Sequence, residues 1–269
     1  MIRKNDFRKI DIEVKNVVKK AFEYAKKNEK NLNDYILFLA NGHLMIDLVG
    51  SKYSPYTIDY RLDEMNDELR LNVLLDYIQH SYSFTAENSQ DSKLSLSLEL
   101  MIYTHMWESK PYLKTLKKLS DICDSQEYDW DVKVPDMSKH NFIRDVIRAK
   151  FKKNNLKIHE VITEGFHTSL RNAFAHSEYV LNLNEPKIDL LNFKNNDWEL
   201  RDISFDDWTR RFCYSFLLAY HIEKTLQTER EKLYHGLPGY EIKSKNSAGE
   251  DINTKIFYDS IKNSFHYNP

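Results

Sequence analysis

The spacing of apolar residues along the chain predicts mostly amphipathic helices. Apolar side chains recur every three or four residues over long stretches, which places them on one face of a helix. Ser204, with Asp207 three residues later, has the pattern of a helix N-cap followed by an acidic first turn. Pro111 predicts a kink or a break in the fourth helix. The predicted helices cover residues 7–28, 31–50, 62–80, 93–123, 139–153, 155–175 and 205–234.

Other stretches lack this helical pattern. Residues 81–92 are polar and predict a loop, and residues 124–138 predict an irregular connector. Residues 179–203 contain β-favouring runs separated by turn sequences, which predicts a small antiparallel hairpin or meander. Residues 236–269 are interpreted as a partly ordered tail with one short helix near 254–265.

Glycine and proline are scarce, with six of each in 269 residues. This scarcity argues against a β-sandwich or a Rossmann sheet, because both need many turns. No glycine lies between Gly50 and Gly165, so a glycine-rich phosphate loop is not expected there. The predicted fold is all-α, or mostly α: a helical bundle with a small β-hairpin inserted before the last long helix. Residues 1–90 are expected to pack on a bundle of residues 93–235 and, with the tail 236–269, to form one compact domain.

Charge and cysteine usage indicate a soluble cytoplasmic protein. The formal net charge is −2, so a nucleic-acid partner would need a local basic patch. Cys123 and Cys213 match no disulfide or metal-binding spacing and are interpreted as reduced, buried thiols. The first residues are too polar for a signal peptide, and no apolar run is long enough to span a membrane. No membrane partner is therefore expected.

Common catalytic motifs are incomplete in this chain. His159 and Glu160 begin a zinc-protease motif, but Thr163 stands where the second histidine is needed. His176 and Glu178 have the spacing of a zinc deaminase motif, but the two cysteines that should follow are missing. No serine-hydrolase elbow is present. We therefore expect no metal and no cofactor.

One segment carries a recognisable chemical pattern, Arg171-Asn172-Ala173-Phe174-Ala175-His176. It resembles the signature of the HEPN superfamily, an arginine followed by a polar residue and a histidine four to six residues after the arginine. The resemblance covers roughly residues 93–230. It implies a helical bundle and, as in many members, a metal-independent endoribonuclease of the toxin, abortive-infection or CRISPR-associated type. Arg230 and His235 have the same spacing, but Glu231 replaces the asparagine, so that match is interpreted as a decoy.

The residue types suit RNA cleavage without a metal. His176 could remove a proton from the 2′-hydroxyl or protonate the leaving 5′-oxygen. Arg171 could stabilise the charge on the phosphate, with Asn172 orienting the site. Positions five apart on a straight helix point about 140° away from each other. Arg171 and His176 therefore converge only if the helix breaks or if two copies face each other, and the resemblance implies a homodimer with a composite active site.

Several further residues are candidates with open alternatives. His105 and Glu108 share one side of a predicted helix, as partners of Arg171 or as a mutually satisfied pair. In some HEPN toxins a partner antitoxin modifies a tyrosine two residues after the histidine, whereas Tyr179 is three residues after His176. A basic cluster interleaved with Phe142 and Phe151 is interpreted either as an RNA-binding surface or as a solvated helix face. The cluster comprises Arg144, Arg148, Lys150, Lys152 and Lys153.

The leading hypothesis is a homodimeric endoribonuclease in host defence or growth arrest, with RNA as substrate and an antitoxin or regulatory protein as a further partner. Its products would be a 2′,3′-cyclic phosphate and a 5′-hydroxyl. The alternative is a non-catalytic module that binds RNA or a protein partner, in which Arg171 and His176 only cap a helix or bind a carboxylate. The nuclease hypothesis predicts that both side chains are accessible in a cleft. The module hypothesis predicts that they are buried or bonded to structural carboxylates.

Overall fold

A computed structural model describes residues 2–50, 54–59, 73, 76–77, 89–234 and 239–267. The chain is about 56% helical and also contains three small antiparallel sheets. The fold is therefore mixed α/β, and the prediction of an all-α bundle with a single hairpin was wrong.

The helices agree with the apolar pattern over most of the described chain. They are α1 (Lys4–Asn28), α2 (Asp34–Leu39), α3 (Ser89–Glu108), α4 (Lys110–Cys123), α5, α6 (Ile158–Gly165), α7 (Thr168–Ala175) and α8 (Phe205–Glu231). Helix α5 consists of the consecutive segments Lys139–Asn141, Phe142–Arg148 and Ala149–Lys153, of which the second is π-helical. Short 3₁₀ turns occur at Ile46–Leu48 and Lys232–Tyr234.

The structure corrects the extent of two predicted helices and confirms the predicted break near Pro111. The helix predicted at 31–50 is limited to α2, because residues 35–40 are a buried apolar run followed by a strand. The helix predicted at 155–175 is divided into α6 and α7 at residues 166–167. The break near Pro111 is confirmed: α3 ends at Glu108, and the Ser109 hydroxyl caps α4 by accepting the N–H of Tyr112 at 3.2 Å. The prediction for 62–80 lies outside the described residues except at 73, 76 and 77, and so does most of the 81–92 loop.

The strands form three separate antiparallel sheets. The first pairs β1 (His43–Leu44) with β2 (Tyr56–Thr57). The second has the order β3-β4-β5 and is the predicted meander, placed directly before α8. The third has the order β6-β7-β8 and replaces the helix predicted near 254–265. Their bounds are β3 (Tyr179–Asn182), β4 (Lys187–Leu190), β5 (Asp202–Ser204), β6 (Tyr240–Lys245), β7 (Asp251–Asp259) and β8 (Ser264–Tyr267).

The long helix α8 lies at the centre of the core and packs against α1 and α6. Trp107 donates its ring N–H to the Ser215 hydroxyl at 3.0 Å, and this hydroxyl donates to the carbonyl of Gly165 at 2.9 Å. A Cβ atom at Gly165 would lie only 2.9 Å from Ser215 Oγ, so this close approach requires glycine. The contact fixes the end of α6 against α8 and thereby fixes where α7 begins.

The C-terminal sheet is fastened to the N-terminal part of the chain through Arg230. The guanidinium donates to the Asp59 carboxylate at 3.0 Å, to the carbonyl of Leu39 at 3.1 Å and to the carbonyl of Asn263 at 2.7 Å. Both members of the Arg230–Asp59 pair are largely buried. Arg230 thus has a structural role, which fits the decoy interpretation of the second motif; His235 lies outside the described residues.

Both cysteines are buried and neither is in a disulfide, as predicted. Burial raises the pKa of the Cys123 thiol to about 12, which keeps it protonated at neutral pH. Among the residues that the structure describes, no helix is long and apolar enough to cross a membrane.

Candidate functional site

The motif lies on α7, and both ends of this short helix are defined. His167 caps the start, since its Nδ1 accepts the N–H of Ser169 at 3.2 Å. The backbone N–H of His167 donates to the Tyr103 hydroxyl at 3.0 Å. The helix ends at Ala175, where the His176 N–H still donates to the Asn172 carbonyl at 3.1 Å and Ser177 takes a left-handed φ of 57°. His176 is therefore the C-terminal cap of the helix, so the straight-helix angle between the Arg171 and His176 side chains does not apply.

The cap of α7 predicts a pH-dependent stability. Burial lowers the pKa of His167 to about 4, so its imidazole is neutral at physiological pH and can accept the Ser169 N–H. The unfolded chain binds a proton here below about pH 6.5, but the folded chain does so only below about pH 4. His167 therefore removes stability as the pH falls through this window. His167→Ser keeps a capping oxygen but has no group that titrates in this range. We therefore expect the unfolding free energy of this variant to fall by about 2–3 kcal/mol less than that of the wild type between pH 7.5 and pH 4.5.

Chemical denaturation at pH 4.5 and pH 7.5 measures this difference for both chains. His159, which is half-buried on the neighbouring helix α6, offers a control as His159→Ser. An unchanged pH dependence in His167→Ser would show that His167 is not the neutral cap of α7.

The apolar side of α7 fixes which way its polar residues face. Ala173 and Phe174 are buried. The Phe174 ring packs edge-on against Tyr103 at 5.9 Å, Trp208 at 5.0 Å and Tyr179 at 5.3 Å between centroids. These rings hold one face of the helix in the core. Arg171, Asn172 and His176 therefore lie on the other side of the helix, away from the packed rings.

Arg171 links the helix to α3. Its Nη2 contacts Glu108 Oε1, and its Nη1 donates to Asn172 Oδ1 at 2.8 Å. Its side chain is only 14% exposed. Burial lowers the pKa of the guanidinium from its usual value, but arginine remains protonated at neutral pH. The bond to Asn172 fixes the amide with its oxygen toward Arg171, which leaves the amide Nδ2 to donate elsewhere.

Glu108 bridges two cations. Its Oε2 accepts from the ammonium group of Lys139 at 2.7 Å, while Oε1 contacts Arg171. Burial, and secondarily the nearby charge of Lys110, lower the pKa of Lys139 from its usual value. One carboxylate faces two cations, so the Glu108–Lys139–Arg171 cluster keeps a net positive charge. Lys139 was not among the sequence candidates, because only the folded chain brings α5 to the end of α3.

A cleft of about 450 Å³ opens beside the cluster. His176 is exposed within it, at the end of α7, and Asn172 also lines it. The remaining lining comes from α7, from Glu178 and from the segment between β4 and β5. The residues lining the cleft are Ser169, Asn172, His176, Glu178, Leu191, Asn192, Lys194, Asn196, Trp198 and Glu199.

The nuclease hypothesis predicted that both motif side chains are accessible in a cleft, and the module hypothesis predicted that both are buried or bonded to carboxylates. The structure agrees with one hypothesis at His176 and with the other at Arg171. His176 lies in a cleft, as the nuclease hypothesis requires. Arg171 is mostly buried and paired with a carboxylate, as the module hypothesis requires, and it is not among the cleft residues. Within one chain, Asn172 is the residue that connects the arginine to the cleft.

The supporting candidates lie in different environments. Glu108 contacts Arg171, whereas His105 is exposed on α3, so the two do not form a buried pair. Tyr179 begins β3 and is half-buried against Phe174. The turn that ends α7 leads directly into β3 and so brings the Tyr179 ring back onto Phe174.

The basic cluster on α5 is largely engaged by carboxylates. Arg144 pairs with Asp145 at 2.7 Å, Lys153 pairs with Asp124 at 2.8 Å, and Lys150 contacts Asp121. Arg148 donates to the Thr163 hydroxyl at 3.3 Å, and Lys152 is exposed. Phe142 and Phe151 are buried, so they cannot stack on bases, and none of the five cations lines the cleft. These contacts favour the interpretation as a solvated, ion-paired helix face.

Sequence reasoning missed the segment between β4 and β5. Trp198 and Asn192 line the cleft but lie in a stretch that was assigned only as part of a meander. The single tryptophan within the polar sequence Lys-Asn-Asn-Asp-Trp-Glu was the only signal that this stretch carried, and it does not by itself indicate a site.

Among the described residues, no group of three or more histidine, cysteine, aspartate or glutamate side chains is arranged to hold a metal ion. No protein-family model, no curated protein and no solved structure matches the chain.

Proposed function

We propose that the chain is an endoribonuclease that cleaves RNA without a metal ion and acts as a homodimer. The observation that supports this most strongly is the connected set Glu108–Arg171–Asn172 beside a cleft in which His176 is exposed. It combines a titratable base, an oriented amide donor and a net positive cluster at one place. The resemblance of Arg171–His176 to the HEPN signature agrees with this combination.

The cleavage would proceed by internal attack of the 2′-hydroxyl. His176 removes the hydroxyl proton, the 2′-oxygen attacks the adjacent phosphorus, and the bond from phosphorus to the 5′-oxygen breaks. The 5′-oxygen leaves with a proton, which gives a 2′,3′-cyclic phosphate and a 5′-hydroxyl. Asn172 Nδ2 donates to the phosphate, and the positive cluster behind it stabilises the additional negative charge.

Two copies satisfy the need for both a base and an acid. Each cleft presents one exposed histidine. Attack by the 2′-hydroxyl requires a group that accepts a proton, and departure of the 5′-oxygen requires another group that donates one. His176 of a second copy is therefore proposed as the acid. Because Arg171 and His176 face different ways within one chain, two facing copies also bring a second arginine cluster to the phosphate.

Helix α3 presents a surface suited to this pairing. Leu94 and Met101 are 67% and 58% exposed, and His105 is exposed on the same side. Alternating spacings of four and three residues separate Leu94, the half-buried Leu98, Met101 and His105. This is the pattern of a coiled-coil seam. The same spacing continues to Glu108 at the end of α3, so two copies whose α3 helices pair in parallel would place their arginine clusters near each other.

Met101→Glu is expected to convert the dimer into a folded monomer, because it places a charge on each side of the seam. Met137→Glu is the matched control, since Met137 is 83% exposed in the connector before α5. Light scattering after gel filtration measures the mass of each chain. A dimer that persists in Met101→Glu, or that is lost equally in Met137→Glu, would contradict pairing along α3.

Arg171→Lys tests the catalytic arrangement. Lysine keeps the charge but cannot contact Glu108 and hold Asn172 with a planar fork, so the amide loses its orientation. We expect cleavage of a labelled tRNA and mRNA mixture in EDTA to fall about 100-fold. Arg144→Lys, in an exposed ion pair, should leave it unchanged. Full cleavage by Arg171→Lys would contradict the proposal.

The ion pair between Arg171 and Glu108 favours a second candidate, a binding module in which the arginine is structural. The same experiment distinguishes the two. A folded dimer that binds the RNA but leaves it intact in wild-type form would support the module.

A further inference from the structure

The segment between β4 and β5 places a tryptophan in solvent at the edge of the cleft. The Trp198 side chain is 59% exposed and lines the same cleft as Asn172 and His176. Trp107, Trp130 and Trp208 are buried in the core. At the edge of a cleft, an exposed indole offers its flat aromatic face to a ligand.

This segment is held firmly to the helix that carries the motif. Asn192 Nδ2 donates to the carbonyl of Ser169 at 3.0 Å, and the N–H of Leu200 donates to the Ser169 hydroxyl at 3.3 Å. The Glu199 carboxylate accepts the N–H groups of Lys194 at 2.7 Å and of Asn196 at 3.2 Å. The backbone that carries the indole is therefore held against α7, and binding a ligand would require little ordering of the loop.

The groups around the indole suit a nucleobase better than an apolar partner. Asn196, two residues before Trp198, lines the cleft with an amide, the group that hydrogen-bonds the edges of bases. Glu199, the residue after Trp198, also lines it, so this part of the cleft favours an uncharged ring over a phosphate. The positive cluster of Arg171, Lys139 and Glu108 lies behind Asn172, where the phosphate is proposed to bind.

We propose that Trp198 stacks on one unpaired base of single-stranded RNA, next to the phosphate at His176. This inference rests on the proposed function and adds the substrate class: RNA whose bases are free at the cleavage site. A paired base is excluded because its faces are already covered by its neighbours in the duplex. Asn196 then contacts the edge of the stacked base, and Lys194 contacts the chain beyond it.

The test measures binding and cleavage separately. Binding is followed by anisotropy of a fluorescein-labelled single-stranded oligoadenylate, in the His176→Ala background so that the RNA stays intact. We expect Trp198→Ala to weaken binding roughly 5- to 150-fold and Trp198→Phe to restore part of it, since base–aromatic stacking has this magnitude. Leu183→Ala, which removes an exposed apolar side chain from the turn after β3, is the matched control and should bind like its parent.

Fluorescence gives a second readout that a merely structural role would not change. Because the other three tryptophans are buried, quenching of the indole emission by single-stranded RNA should disappear in Trp198→Phe and should not occur with the same sequence in a perfect duplex. With wild-type His176, Trp198→Ala should raise KM more than it lowers kcat.

The outcomes separate this inference from the proposed activity. RNA binding with Trp198-dependent quenching but without any cleavage would retain the base site and reject the nuclease. Cleavage with unaltered binding, quenching and KM in Trp198→Ala would retain the nuclease and overturn the base site. Equal quenching by duplex and single-stranded RNA would also overturn it.

Discussion

His176→Ala is expected to lower the rate of RNA cleavage by about 10²–10⁴-fold, the usual contribution of a general acid–base group. His176 is exposed at the end of α7, and its side chain makes no contribution to the buried core. The substitution should therefore leave the unfolding free energy and the dimer unchanged. In a composite site the same substitution removes both the base of one cleft and the acid of the other, so the loss should be at the upper end of this range.

The control for this prediction is another exposed histidine far along the chain. His266 is exposed on β8, where its ring stacks on Phe257, and His266→Ala should cleave RNA at the wild-type rate. Initial rates with a single-stranded substrate in EDTA measure all three proteins. Wild-type rates in His176→Ala would remove the histidine from the mechanism.

Arg230→Ala is expected to lower the free energy of unfolding by about 3–5 kcal/mol, the cost of breaking a buried ion pair by removing one partner. The substitution leaves the buried Asp59 carboxylate without its cation and the carbonyls of Leu39 and Asn263 without their donor. It also removes the guanidinium from above the Phe265 ring, 5.2 Å from its centroid. The C-terminal sheet should therefore be held less tightly against the N-terminal part of the chain.

A matched substitution separates burial from charge. Arg144→Ala removes the same side chain from an exposed pair with Asp145, and exposed pairs contribute about 0–1 kcal/mol. Urea unfolding measures both variants. Equal effects in the two variants would show that Arg230 does not fasten the sheet.

The helices could be predicted because their buried residues repeat with the helical period. In α1, for example, Ile10, Val14, Val17, Ala21 and Ala25 are all buried on one face. The Ser204 cap of α8 was equally visible, because the Ser204 hydroxyl accepts the N–H of Asp207 at 3.1 Å, as the sequence pattern predicts.

The C-terminal strands could not be predicted in the same way. β6 buries only Ile242 and Ser244, and its neighbours are lysines and glutamate, so the alternation is nearly invisible to an apolar pattern. The scarcity of glycine was also misleading, because asparagine, aspartate and serine take the left-handed turn positions instead. Among the described residues these positions are Asn33, Asn41, Asp59, Ser125, Ser138, Asn155, Ser177, Asn195 and Asn263.

The site could be predicted only where its residues are close in sequence. Arg171, Asn172 and His176 lie within one turn and a half of helix and were found from their spacing. Lys139 and Trp198 join them from α5 and from the β4–β5 segment, through contacts that exist only in the folded chain. The burial of Arg171 against Glu108 likewise depends on how α3 packs against α7.

The most direct test of the proposed nuclease is to identify the ends that the purified wild-type dimer produces from a single-stranded RNA in EDTA. Internal attack by the 2′-hydroxyl predicts cleavage with a 2′,3′-cyclic phosphate on one fragment and a 5′-hydroxyl on the other. Intact RNA at an excess of folded dimer, or fragments that carry 5′-phosphates, would contradict the account.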